Sequence, residues 1–213
     1  RWSGVCLCGA IPLVVVGSNS PTSASENKLM VAEGISQHHR NQKVSGIQNL
    51  YAYSQLLLSI SGTDARYGTT DTPSKFWGKW TEEEITEAKM QAVKSTPLSE
   101  GQKTALFADK PHWARNDFER LHSGLVLPTE QDRLIISLLR PDRLLDFTRR
   151  FIFFDRGTKK IAARYQQFGG VKAILAQVAK QKHDGSREGG VVWHTTGSGK
   201  SNLMGLLTKA MLL

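Results

Sequence analysis

Cysteine is nearly missing from this sequence, with only Cys6 and Cys8 among 213 residues. Neighbours at a Cys-x-Cys spacing rarely bridge one another, and with no second pair nearby they make a poor zinc site. A disulfide scaffold is therefore excluded, and both read as strand residues in a reducing compartment. No apolar run approaches the ~20 residues that a membrane span needs, so no membrane partner is expected. The opening RWSGVCLCGAIPLVVV has an apolar patch but no initiator methionine and no basic signal-peptide start. A cytoplasmic location is the default expectation, and the chain reads as a portion of something longer. Acidic residues are in short supply too. Nineteen Asp and Glu face 28 Lys and Arg, a net charge of +9, which suits a polyanion such as nucleic acid; a basic surface with no partner is the other reading.

What remains is an ordinary globular balance, 39% hydrophobic and 22% charged, long enough for one large or two small domains. Ile11 to Val16 (IPLVVV) reads as a buried strand, Lys28 to Gln42 as a helix, and Tyr53 to Ser61 as a second buried strand. Gly62-Thr63-Asp64 then turns the chain back on itself through Ala65 to Thr69, a hairpin. An aromatic, basic segment, TPSKFWGKW, precedes Glu82, Glu83 and Glu84, which favour a helix start through the dipole. Between Ser95 and Trp113 the signals are weak. Helical patterns follow over Thr129 to Arg140 and Pro141 to Arg150, then an apolar strand, Phe151 to Phe154. Arg164 to Gln181 is amphipathic through Val171, Ile174, Leu175 and Val178. Val191 to Trp193 reads as a short strand, and Asn202 to Leu213 as a helix. The alternation predicts an α/β fold.

The most specific signal is VVWHTTGSGKS, Val191 to Ser201. A strand, a glycine loop, a lysine, a hydroxyl and a helix in that order make a phosphate loop. Gly197 and Gly199 let the backbone curl so that N–H groups converge on phosphate oxygens, with Thr196 and Ser198 between and beside them. The helix N-terminus adds positive potential. Lys200 would reach the β and γ phosphates of ATP, and Ser201 would hold Mg²⁺. His194 stands where the strict motif has its first glycine, and reads as a packing residue. Upstream, Gln167 carries a donor and an acceptor on one amide, a match for the adenine N6 and N7 edge. Alone, Gln167 would read as an exposed helix-start residue.

The segment RYQQFGGVKAI…GGVVWHTTGSGKS resembles the start of the motor in the restriction (HsdR) subunit of type I restriction-modification enzymes. IPLVV, YSQLLLSISGTDARYGT and RPDRLLDFTRRFIFFD resemble the same subunit in the same order, so the likeness covers nearly the whole chain. It implies a nuclease domain of the PD-(D/E)xK kind, a mixed sheet flanked by helices, followed by RecA-like lobes of a superfamily 2 translocase. Divided accordingly, residues 1–125 are nuclease-like, 126–160 a helical linker and connecting strand, and 161–213 the start of an ATPase lobe. It also implies ATP-dependent pumping and cleavage of double-stranded DNA, in a complex with methylation and specificity subunits.

Departures from that pattern fall on the implied nuclease site. Ser3 stands near the place of the family's metal-binding Asp, Gly17 where its Glu belongs, and Asn19 where its Lys belongs. None supplies an anionic oxygen for a metal ion, so no intact catalytic residue is expected. Gln37 matches the Gln of a Gln-x-x-x-Tyr helix, but Asn41 replaces the Tyr. Glu26-Asn27-Lys28 spells E-x-K after a polar loop and reads as a solvated decoy. The motor also reads as cut short after Ser201. Two readings follow: a restriction-endonuclease subunit piece with substituted nuclease residues and a partial motor, or an inactive remnant that binds DNA or a partner subunit. The second would use Lys75, Lys79, Arg149, Arg150, Lys159 and Lys160 beside Phe76, Trp77, Trp80, Phe151 and Phe154. The competing view of those residues is ordinary solvated charge over core aromatics.

Overall fold

A computed structural model describes residues 2–8, 11–18, 24–82, 84–124, 127–155, 157 and 159–213, with backbone alone for 2–8, 11–18 and 24–28. Four strands form the larger sheet in the order β1 (Trp2–Cys8), β2 (Ile11–Ser18), β3 (Leu56–Ser61) and β4 (Asp64–Gly68). The outer pairs are antiparallel, while β2 and β3 run parallel with Val15 beside Leu58. A parallel pair needs a crossover. Here it contains helices α1 (Ala24–Asn41) and α2 (Gln48–Tyr53).

Strand β3 sits inside, and all six of its residues are buried. Side chains alternate across a strand, and the alternation sorts the core into two layers. Leu57 packs with Val31 and Ile35 of α1, Tyr51 and Trp77. Leu56, Leu58 and Ile60 enter the larger cluster on the other face. That cluster gathers Leu134 and Leu138 from α6 (Glu130–Leu138), Leu144 and Phe147 from α7 (Pro141–Arg150), and Phe168 and Val171 from α8 (Tyr165–Ala179). Leu203, Leu206 and Ala210 of α9 (Lys200–Leu212) complete it. Its centre is aromatic: Trp80 and Phe151 lie 5.4 Å and 4.7 Å from Phe168, ring centre to ring centre. Burying one such ring stabilises the fold by about 2–3 kcal/mol. One apolar cluster thus spans residues 56 to 210, running past positions 125 and 160.

A small antiparallel sheet pairs β5 (Ile152–Asp155) with β6 (Lys159–Ala162). Three buried hydrogen bonds tie β6 and its C-terminal end to the larger sheet. The Tyr67 hydroxyl donates to the Ala163 carbonyl (2.9 Å), and that of Thr69 to the Lys160 carbonyl (2.7 Å). The Lys160 ammonium donates to the Ser54 carbonyl at 2.8 Å. Burial holds the Tyr67 phenol well above, and the Lys160 ammonium below, their usual ranges.

Several local expectations need correction. Tyr53 ends α2 and the strand begins only at Leu56. The helix expected from Glu82 starts at Glu87 as α3 (Glu87–Lys94), because the Thr86 side chain caps it by accepting from the Lys89 N–H. Glu82 instead pairs with Arg143 and accepts from the Trp80 indole, and Glu83 lies outside the described residues. The weak region holds α4 (Glu100–Phe107) and α5 (His112–His122), of which α4 opens on a Ser99–Gln102 capping box. The strand expected over Val191 to Trp193 is irregular, with Val191 92% and Trp193 90% exposed. A strand needs a ladder partner, and none is present among the described residues.

Candidate nucleotide site

Residues 194–199 form a turn that feeds directly into α9. Gly197 and Gly199 adopt φ of 79° and 83°, a left-handed backbone that side chains resist. Gly199 caps the helix, and the first-turn N–H groups of Lys200, Ser201 and Asn202 have no intrahelical acceptor. Those donors and the helix dipole create a site for an anion. Thr196, Lys200 and Ser201 are solvent-exposed, whereas Ser198 is half-buried.

The loop is braced from below by α8. Gln167 is only 4% exposed, and its amide is fully engaged. Its oxygen accepts from the Arg164 N–H at 2.9 Å, and its nitrogen donates to the carbonyls of Ser198 (3.3 Å) and Gly199 (3.2 Å). A Cβ on Gly199 would come within 2.5 Å of that nitrogen. His194 packs against Gly170, where a Cβ would meet its Nε2 at 3.0 Å, and its Nδ1 lies 3.5 Å from the Ser198 hydroxyl. This is the packing role expected of His194. Both edges that Gln167 would turn toward adenine face the protein here.

Beside the loop opens a cleft of about 320 Å³. Gly197, Ser198 and Gly199 line one side with Arg164 and Gln167, and β6 lines the floor. Gly68, Thr72, Pro73, Phe76 and Gly78, from the end of β4 and the turn beyond it, form the opposite wall. Among the described residues no carboxylate lines the cleft, while Lys159, Lys160 and Arg164 do. Nothing in the sequence assigned Arg164 and the far wall a place in this cleft, because their approach to the loop is tertiary.

The residues implied as a nuclease centre are placed by backbone alone. Ser3 pairs with Val16 and Trp2 with Gly17, so Ser3 and Gly17 sit on adjacent strands one register step apart. Asn19 lies outside the described residues. Gln37 is half-buried on α1, as is Asn41. Glu26-Asn27-Lys28 belongs to the beginning of α1, not to a strand. Of the basic and aromatic patch, Trp77, Trp80 and Phe151 are core residues and Lys160 is buried. Lys79 pairs with Glu130 at 2.9 Å and Arg150 with Asp146 at 3.2 Å. Phe76, Phe154, Lys75, Arg149 and Lys159 remain exposed. Among the described residues, no group of three His, Cys, Asp or Glu side chains could hold a metal ion, and no helix is long and apolar enough to cross a membrane.

Comparison with known proteins adds identity to this geometry. Residues 166–213 match the SWI2/SNF2 ATPase family model, which takes in Gln167, the loop and α9. A type I restriction enzyme HindI endonuclease subunit from Haemophilus influenzae is 36% identical over 94 residues, 42% of this chain and 9% of its own length. A protein of Methanocaldococcus jannaschii named for the endonuclease subunit of the type I restriction enzyme MjaIXP is 26% identical over 212 residues, 98% of this chain. The chain spans 18% of the length of that archaeal protein. The chain is thus similar along nearly all of its length to one protein named as an endonuclease subunit of a type I restriction enzyme, and over 42% of its length to a second.

Proposed function

We propose that this chain holds the triphosphate-gripping element of an ATP-driven DNA translocase within a type I restriction-modification endonuclease subunit. The observation that carries the proposal is the loop itself. Two left-handed glycines, three uncommitted helix-start donors and an exposed Lys200 meet in one turn, braced by Gln167. Lys200 would pair with β and γ phosphate oxygens, and the amides of Thr196 to Gly199 would cradle them. Magnesium, when bound, would neutralise charge on the phosphates, and the Ser201 hydroxyl would help to hold it. Gln167 would hold the loop's shape, and would meet adenine only by exchanging the bonds it now makes. Cradling of this kind binds ground and transition states alike, so tight binding with little hydrolysis is the expected behaviour.

In the same reading residues 1–125 are a nuclease-like unit of the PD-(D/E)xK kind, 126–160 the connection and 161–213 the start of the RecA-like lobe. The sheet is in keeping with this reading: a hairpin, a helical crossover and a parallel return strand, with Ser3 and Gly17 on neighbouring strands one register step apart. With Ser and Gly there, no carboxylate is available at either position, and no cleavage by this chain is expected. Double-stranded DNA and the methylation and specificity subunits are the partners, in the cytoplasm. A second reading, an inactive module that binds DNA or another subunit, draws on the +9 charge and on exposed Lys75, Arg149 and Lys159.

Isothermal titration of the chain with MgATP tests the loop. Binding that disappears in Lys200→Ala supports the proposal, and binding indifferent to that change removes it.

A further inference from the structure

We infer that His194 is a positioning residue of the phosphate loop: its ring, seated in a slot that Gly170 leaves open in α8, holds the Ser198 hydroxyl and so fixes the tip of the loop where the phosphates would lie. This rests on the triphosphate reading of the loop and extends it to the residue that stands where the strict motif has a glycine.

A glycine in the middle of a helix is unfavourable unless something uses the space of the missing side chain. Gly170 lies inside α8, and the His194 imidazole uses that space, with Nε2 3.0 Å from where a Cβ would be. A methyl of Leu203 on α9 also reaches the slot, at 2.9 Å from the same point. Gln167 precedes Gly170 by about one helical turn on the same face, and its amide holds the carbonyls of Ser198 and Gly199. Helix α8 therefore supports the loop at two successive turns, at its tip through Gln167 and at its entry through His194.

The ring's other nitrogen faces the loop. Nδ1 lies 3.5 Å from the Ser198 hydroxyl, and among the described residues that hydroxyl has no other partner. The Ser198 N–H donates to the Thr195 carbonyl at 3.2 Å, which folds residues 195–198 into a closed turn. His194 and Ser198 are both half-buried, while Thr195, Thr196 and Gly197 between them are exposed. The imidazole thus ties the first residue of the loop to its tip. At 3.5 Å the contact is long, and such contacts in binding sites commonly tighten only when the ligand arrives. Ser198 also lines the cleft beside Gly197 and Gly199. A hydroxyl held by the ring presents its remaining hydrogen-bonding capacity to a phosphate oxygen. A loop fixed before binding also avoids the ordering cost that a free loop would incur.

The test titrates the 213-residue chain with MgATP and with magnesium tripolyphosphate, which carries the phosphates alone. Both should bind the parent, and Lys200→Ala should abolish both. His194→Leu fills the slot without a polar atom, whereas His194→Asn keeps an amide close to where Nδ1 now lies. The leucine variant should bind tripolyphosphate roughly tenfold more weakly, the usual net value of one hydrogen bond, and the asparagine variant should recover most of that loss. Ser198→Ala should lose the same factor, and adding His194→Leu to it should lose nothing more. Gly170→Ala should weaken binding on its own and be tolerated beside His194→Asn, whose shorter side chain leaves the slot free. Parental affinity in folded His194→Leu and Ser198→Ala, with binding still lost in Lys200→Ala, would overturn the inference and leave the grip standing. A parent chain that binds neither ligand would remove the two together.

Discussion

At the residue scale, two positions carry sharp consequences. Gly199 combines a left-handed φ of 83° with the Gln167 amide in the place of any Cβ. Gly199→Ala should therefore push Gln167 from the loop carbonyls and cost about 1–2 kcal/mol of stability. In a urea titration the variant should lose midpoint, and its ATP affinity should drop at least as far as that of Lys200→Ala. His38 is the second. It is fully buried, stacks on Trp77 at 5.3 Å, accepts from the Tyr51 hydroxyl through Nδ1 and donates from Nε2 to the Leu58 carbonyl. Burial drives its pKa down to about 4, while in the unfolded chain it titrates near the ordinary ~6.5. The unfolded state thus binds the extra proton between those values. Stability contributed by neutral His38 is complete above about pH 6.5, and falls as pH drops toward 4 by about 3 kcal/mol in total. Urea midpoints measured from pH 7.5 to pH 4.5 should decline over this window, and His38→Gln should flatten the decline.

At the element scale, local chemistry decided what could be read ahead of the structure. Pro141 at the first turn of α7 and the Thr129–Asp132 capping box of α6 are sequence-local, and the two helices lie where the pattern put them. Thr129→Ala should lower the thermal midpoint, with a loss of about 1 kcal/mol. The apolar stretch Leu56 to Leu58, with Ile60, made β3 legible for the same reason, since a central strand must hide both faces. Errors arose where a local signal was outbid. Three glutamates suggested a helix start, but Glu82 is drawn to Arg143 and Thr86 provides the cap. The Ser99–Gln102 box was present in the sequence, and would have revealed α4 had Ser-x-x-Gln been weighed above the prolines around it. Val191 to Trp193 has strand composition, yet composition does not supply a neighbour to bond with. Its exposed amides should exchange within seconds, unlike those of β3.

For the whole molecule, the sequence spoke most clearly about the loop and least about its surroundings. Glycine spacing announced the turn at 197–199, because a left-handed backbone selects its residues directly. The cleft's far wall, built from residues more than a hundred positions upstream, was invisible, because nothing in Thr72, Pro73 or Phe76 records what they will face. The basic and aromatic patch left two readings open, and the rings of Trp77, Trp80 and Phe151 form the core, as the reading of solvated charge over core aromatics has it. Charge still permits a DNA contact through the exposed cations. If double-stranded DNA binds, its affinity should fall steeply between 50 and 200 mM salt, on the order of a thousandfold for six phosphate contacts. The substituted nuclease positions give a second whole-molecule test. Ser3→Asp, Gly17→Glu and Asn19→Lys together should confer magnesium-dependent nicking on a sheet of this topology. A folded triple variant that stays inert would contradict the nuclease-like assignment of residues 1–125.

The turn before α9 as a triphosphate grip underlies every functional statement above. Titration calorimetry of the chain and its Lys200→Ala variant with MgATP tests that grip most directly. One site per chain is expected in the parent and none in the variant; equal heats from both, or none from either, would refute the grip.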